Sequence, residues 1–315
     1  QRPVDPYRVN SLVIGPATDP VAGVVRWDPV RSIWNGAMLT AALVLAPFYA
    51  TPGAFVVFLG LSAVTLCSGH SVGYHRRLVH RSFKCSKGVE RLLVWMGAAV
   101  GMGGPLWTIR THDTRDWAQR QTRCHDFLAH RHGLLKDGWW NLHCRLVFAH
   151  PPGFDAGPGI ADDAFYRFLE RTWMWHQLPI GLALFAIGGW PWAVWGVFVR
   201  VAACTTMHWC ISYFAHTRGP QSWLLNGAGV QAHDVPLAAI PTMGESWHNN
   251  HHAFPASARH GLYPGQIDLG FRFIQILERL GLVWDVQTPD KLPLRPGLTP
   301  VRPDAAVVLG ARESP

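Results

Sequence analysis

The residues in this chain best suited to chemistry are histidines, and they are densest where His248, His251 and His252 stand in the spacing HxxHH between Gly244 and Pro255. Residues three and four apart share one face of a helix, so the three imidazoles would converge on roughly one point. Such convergence is a metal-ligand geometry, and neutral imidazole suits zinc, iron, copper and nickel alike. The spacing therefore names a metal site and leaves the metal open. A second set, His75 and His80, reads HxxxxH. On an α-helix that spacing turns the two rings about 140° apart, so both reach one centre only if the helix ends between them or two metals are served. His112 stands in a third set, and His208 and His216 are two turns apart at the end of an apolar run. Histidine near a membrane face is costly unless paired or ligating, which makes both candidates.

Four apolar runs would position these residues. Two charge-free stretches, 33–51 and 54–72, are separated by Pro52 and Gly53. Each is about 19 residues, roughly 28 Å as helix, enough to cross a bilayer core. A second pair, 173–188 and 193–213, is joined through Gly189, Trp190, Pro191 and Trp192, with Trp at the height where an aromatic ring sits between lipid and water. The fold expected is all-α and integral to the membrane: two transmembrane hairpins beneath a cytoplasmic helical cap formed by 73–171 and 217–288. Residues 1–31 form a polar arm carrying Arg2, Arg8, Arg26 and Arg31, and 32–288 form the main domain. Residues 289–315 are a Pro-rich tail expected to be extended or disordered. Within the cap, the glycine-rich stretch 92–106 is too short to span and is expected at the interface. Phe271 to Leu282 is expected to form an amphipathic helix.

Composition supports the membrane. Only 15% of the 315 residues are charged, 49% are hydrophobic and 16 are Trp, against roughly 25% charged in an average soluble domain. The formal charge of +8 is spread between the apolar runs without the long basic blocks of nucleic-acid arms, so no nucleic-acid partner is expected. Neither hairpin turn carries Lys or Arg, which puts both termini, the cap and every histidine set on the cytoplasmic side. The six cysteines are scattered without a CxxC pair and read as reduced thiols. The polar, Pro-containing start from Gln1 to Pro6 predicts no cleavable signal peptide.

With these motifs in place, the chain resembles the membrane-bound fatty acyl desaturases of the stearoyl-CoA desaturase type, whose pattern is HxxxxH, HxxHH and a second HxxHH around four transmembrane helices. The resemblance runs from about Asn35 to Pro289 and is most specific at Gly73–Phe83 and from Gly244 to Asp285, including Ser257 to Leu262 and Gln266 to Asp268. It implies two iron ions that activate O2 and take hydrogen from an unactivated methylene, with His75, His80, His112, His216, His248, His251 and His252 in ligand positions. It also implies a long-chain acyl substrate in or on the lipid bilayer. The chemistry agrees: breaking such a C–H bond needs a redox metal, because no side chain supplies that power. With no dinucleotide or flavin motif present, electrons come from an external donor, a ferredoxin or a small haem cytochrome with its reductase.

The middle box departs from the family. Where the pattern has HxxHH, this chain has His112-Asp113-Thr114-Arg115-Asp116. A guanidinium stays protonated and cannot ligate, whereas a carboxylate can, so Asp116 is the expected replacement ligand. Ser212 stands where the stearoyl-type enzymes carry an Asn that helps hold a metal-bound water. His125, His130, His132, His143, His208 and His233 are the further nitrogen donors considered for the metals or their surroundings. Arg76, Arg77 and Arg110 are candidate contacts for an anionic head group. An acyl-chain hydroxylase or acetylenase on the same scaffold, or a catalytically silent membrane metal-binding protein, are the alternatives.

Overall fold

The computed structural model describes residue 7 and residues 11–308. Arg2 and Arg8 of the arm, the Gln1–Pro6 start and the end of the tail lie outside the described residues. Helix α1 (Pro29–Leu45) starts where the Asp28 carboxylate accepts the Arg31 amide at 3.3 Å, and Pro29 presets the first helical φ. It is extended by a 3-10 turn to Tyr49. Thr51 caps α2 (Pro52–Val64), which continues into a π-helical segment, Thr65–Val79. Among the described residues, three helical runs are long and apolar enough to cross a membrane: Pro29–Tyr49, Pro52–Val79 and Gln177–Thr217.

The last run has 41 residues, about 60 Å of helix and twice the thickness of a bilayer core. It folds back instead. Inside α8 (Gln177–Ala193), Gly189 adopts φ 66° and ψ −160°, and the chain returns through a π-helical turn, Val194–Val199, into α9 (Arg200–Thr217). The returning limb lies so close to the first that a Cβ on Gly196 would stand 2.4 Å from Leu184 Cδ1 and 3.1 Å from Val57 Cγ1. Leu39, Leu43, Phe48, Val56, Leu182 and Ile187 remain exposed on the outer faces of these runs.

The remaining helices gather at the end of this bundle. They include α3 (Lys87–Ala99), α4 (Pro105–Arg120), α5 (Asp126–Ala129), α6 (Leu134–His143), α7 (Ala164–Thr172), α10 (His248–Ala253) and α11 (Leu269–Arg279). The stretch expected as one interfacial helix is divided: α3 ends at Ala99, the chain turns at Gly101 (φ 85°) and Pro105 starts α4. Helix α3 lies directly on the π-helical segment, and glycine permits the approach, since a Cβ on Gly69 would meet Met96 backbone atoms at 2.3 Å. Tyr74, Leu78, Val94, Ile109 and Leu169 form one buried cluster there. Ile274 and Leu277 of α11, whose amphipathic character was expected, pack with Val72, Phe83 and Leu93 in another.

The fold is mostly helical rather than purely α. Among the described residues, four two-stranded antiparallel ladders tie distant segments together. One pairs Gly23–Trp27 of the arm with Cys144–Phe148, and another pairs Trp223–Leu225 with Leu298–Pro300. The tail is therefore ordered at least through this strand, and Arg295 Nη1 donates to the backbone carbonyl of His252. Proline does not prevent this pairing because a two-stranded ladder has only edge strands.

Candidate metal centre

The π-helical segment solves the HxxxxH spacing in a way that an α-helix cannot. His80 N donates to His75 O at 3.0 Å, an i to i−5 bond, so residues five apart lie over one another rather than about 140° apart. The two rings consequently face a common point, with Nε2 atoms 3.2 Å apart. His112, from α4, brings its Nε2 to 3.1 Å from that of His75. The His251 ring, from α10, lies 4.6 Å from both His75 and His80. One ligand atom from each of His75, His80, His112 and His251 fits within 4.8 Å of the others.

A second cluster joins His216 of α9 to His248 and His252 of α10. The Nε2 atoms of His216 and His248 are 3.2 Å apart, and the His248 and His252 rings are 4.4 Å apart. The clusters adjoin through α10, where the His251 and His252 rings are 5.6 Å apart. The two asparagines of the motif anchor this short helix. Asn249 donates through Nδ2 to Trp223 O and Ala232 O and accepts from Ser222 N through Oδ1, while Asn250 donates to His260 O. Asp234 accepts the Asn249 amide at 2.9 Å, satisfying a helix-start donor that Trp247 leaves uncapped.

The donor set fits metal ions. Two nitrogens each about 2.1 Å from one ion and at right angles lie about 3.0 Å apart, close to the separations seen in both clusters. His251 is 1% exposed and neither of its ring nitrogens has a hydrogen-bond partner, an uncompensated cost unless something is ligated. Burial lowers His248 to about 3 and, together with neighbouring histidines, pushes His251 and His252 well below the usual imidazole range. Neutral rings keep the lone pair that ligation needs.

Surrounding groups orient the rings. Glu245 Oε2 lies 2.5 Å from His75 Nδ1, leaving Nε2 to face the cluster. Burial alone would raise Glu245, but His75 and Arg76 outweigh it and hold the carboxylate well below its usual range. His260, fully buried, also reaches Glu245 at 3.5 Å. His216 Nδ1 donates to Ser212 O at 2.7 Å. Neither Glu245 nor His260 carries a role that sequence spacing reveals. Both lie in the stretch of closest family resemblance, which was the available signal.

At the departed box, the two substitutions point different ways. Asp116 Oδ1 lies 3.9 Å from His252 Nε2, beside the second cluster, and Oδ2 accepts from Arg120 at 3.1 Å. Burial would raise Asp116, but His112 and Arg120 override it and keep the carboxylate ionised. Arg115 turns away and donates to Ser212 Oγ at 2.9 Å and Asn141 Oδ1 at 3.3 Å. Ser212 Oγ is in turn 3.1 Å from His130 Nε2, and His130 Nδ1 donates to Asp137 at 2.9 Å. His130 stacks on His216 with centroids 5.4 Å apart and planes 11° apart.

The other expected residues fall elsewhere. His125 accepts the Phe127 amide at the start of α5, His132 packs edge-on against Trp140, and His143 bonds Ser32 Oγ. His233 contributes its backbone amide to Ala215 O, and His208 packs against His70. Arg76, expected at a head group, is fully buried and donates to Ala258 O, Asp268 and Glu245. It cannot reach an outside ligand because its charge is needed where two carboxylates are buried. Arg77 pairs with Glu90 at 2.5 Å, while Arg110 stays exposed over the Phe154 ring.

Membrane-length apolar helices capped by two adjacent polyhistidine clusters define a membrane-associated protein of the histidine-box class. The chain is 35% identical over 228 residues to the sn-1 stearoyl-lipid 9-desaturase of Anabaena variabilis, covering 71% of this chain and 80% of that protein. It is 33% identical to the acyl-CoA 5-desaturase AL21 of Anemone leveillei over 78% of this chain and 76% of that protein. It is likewise 33% identical to delta-9 acyl-lipid desaturase 2 of Arabidopsis thaliana, covering 84% and 85% respectively. No protein-family model matches. The chain belongs to the fatty acyl desaturase family and is an oxidoreductase.

Proposed function

We propose that this enzyme uses iron and O2 to introduce a cis double bond into a saturated fatty acyl chain carried by coenzyme A or by a lipid. The single observation that carries the reading is the convergence of seven histidines from four separate segments into two adjoining clusters. His75, His80, His112 and His251 would hold one iron, and His216, His248 and His252 with Asp116 the other. Bound iron would supply the oxidising power that activates O2 and removes hydrogen from a methylene. The protein's share is to keep the imidazoles neutral and aimed. Glu245 fixes His75, the Ser212 carbonyl fixes His216, and the asparagine anchors hold α10 between the clusters.

The fold-back at Gly189 supports four membrane crossings as two hairpins, with the termini and clusters on the cytoplasmic side by the distribution of Lys and Arg. Arg110 remains available for an anionic head group. Electrons would arrive at that face from an external ferredoxin, or a haem cytochrome and its reductase. Because Arg115 and Asp116 stand where the middle box would carry two histidines, hydroxylation of the same chain is the second reading. Expression in a host of known lipid composition, with product masses and iron content measured together, separates them. New unsaturation that needs O2 and reductant supports the desaturase, an added oxygen supports the hydroxylase, and bound metal with neither product sinks both.

A further inference from the structure

His70 and His208 face each other across the bundle, one from the π-helical segment and one from α9, with ring centroids 4.8 Å apart and planes at 82°. Neither ring makes a hydrogen bond among the described residues. Helices α1, α2 and α6 all pack against α9, yet His208 keeps exposed surface, so the ring opens onto space between these helices. Imidazoles without a protein partner among membrane-length helices mark a functional position, because ionisable side chains there face a partner or an open cavity.

Their position follows from helix period. His70 precedes His75 by five residues, one turn of the π-helical segment, so it continues the row formed by His75 and His80 one turn beyond the first cluster. His208 precedes Ser212 by one turn and His216 by two, about 12 Å along α9. The pair thus lies further along the same two rows that carry the metal ligands, deeper in the bundle.

Three convergent ligand pairs, His75 with His112, His75 with His80 and His216 with His248, bring nitrogens to 3.1–3.2 Å. His70 and His208 form no such nitrogen contact. An oxygen bridging two rings needs each nitrogen within about 3 Å of itself, not of the other nitrogen. Resting on the desaturase reading, we propose that His70 and His208 are a substrate-recognition pair that hydrogen-bonds an oxygen function on the acyl chain, a hydroxyl or keto group placed a few methylenes from the reacting carbons. A plain methylene chain would leave both rings unsatisfied, whereas a hydroxyl can donate to one imidazole and accept from the other.

The test uses the full chain in detergent, with stearate and a series of monohydroxystearates differing in hydroxyl position as probes. Affinity is read by displacement of a fluorescent fatty acid, and metal content is measured alongside. The expected result is one hydroxyl position bound about ten-fold more tightly than stearate, the worth of one well-made buried hydrogen bond. His70→Leu and His208→Leu should each remove that preference, and His208→Gln, which can still donate and accept, should restore part of it. Equal binding of all probes, an unchanged preference in both leucine variants, or loss of a metal ion on His70→Leu would overturn the proposal. Because binding needs no turnover, a protein that shows the preference but desaturates nothing defeats the functional reading alone.

Discussion

Arg115 Nη1 donates to Ser212 Oγ at 2.9 Å, and this contact links two of the three positions at which the chain departs from the usual desaturase pattern. Arg115 supplies the donor, Ser212 passes the interaction to His130, and Asp137 anchors His130. Asp137 also accepts from Trp209 at 2.8 Å and from Asn141 at 3.2 Å. The departures are therefore coupled: the lost ligand has become part of a buried network packed against His216. Arg115→Ala should leave Ser212 Oγ and Asn141 Oδ1 short of a donor and cost about 1–3 kcal/mol. Arg115→His, which can turn back toward the second cluster, should keep more metal than Arg115→Ala in stoichiometry measurements. Equal metal content in the two variants would argue against this coupling.

Asp116 gives a sharper metal prediction. On the two-iron reading, Asp116→Ala should bring iron content from two ions toward one, the ion beside His252 being the one lost, because Asp116 Oδ1 lies 3.9 Å from His252 Nε2. His251→Ala should weaken the ion at the first cluster instead. Two full equivalents of iron in Asp116→Ala would remove Asp116 from the ligand set.

Glu245→Gln should lower metal affinity or turnover about 10–100-fold while the protein still folds, since the amide holds His75 less firmly than the carboxylate does. The measurement is competitive chelation against the wild type. His260, which shares Glu245, should show a smaller loss on substitution by Asn.

Acid sensitivity should trace in part to Glu90, whose carboxylate is paired with Arg77 and Lys87 and hydrogen-bonded by Tyr166. Burial would raise it, but the Tyr166 hydrogen bond and Arg77 prevail and lower it. A depressed carboxylate adds stability above the unfolded value of about 4.3 and loses it as pH falls through the lower folded value. Thermal unfolding of wild type should therefore drop below about pH 4 more steeply than that of Glu90→Gln, which should be about 1–3 kcal/mol less stable at neutral pH. Parallel pH profiles would contradict this assignment.

Gly69→Ala should destabilise by about 1–3 kcal/mol or more, because the new methyl would fall 2.3 Å from the Met96 backbone where α3 lies on the π-helical segment. Gly88→Ala, with open space at its Cβ, is the control and should be neutral or stabilising. Melting curves of the two variants distinguish the close contact between the segments from a general intolerance of added methyl groups.

Much of the site was legible from residue type and spacing. Three histidines at helical spacing announce a metal site in any fold, because period alone puts them on one face, and runs of about 19 uncharged residues announce membrane-length helices by hydrophobic length alone. The chemistry of guanidinium and carboxylate was enough to separate Arg115 from Asp116. Period fails once a segment leaves α geometry. HxxxxH left one centre or two open until the π-helical segment aligned His75 with His80, and His70 drew no notice for the same reason. Spacing is also silent about how helices rotate against one another. That rotation, fixed by close contacts such as Gly69 on Met96 and Gly196 on Leu184, decided which cluster each histidine joins, turned Arg76 inward to two carboxylates, sent Arg115 toward Ser212 and set His70 against His208. The sequence by itself determined which atoms can bind metal and which segments can enter a membrane, since both are properties of composition within one segment. Only the tertiary structure decided which of those atoms meet, because meeting depends on packing between segments far apart in the chain.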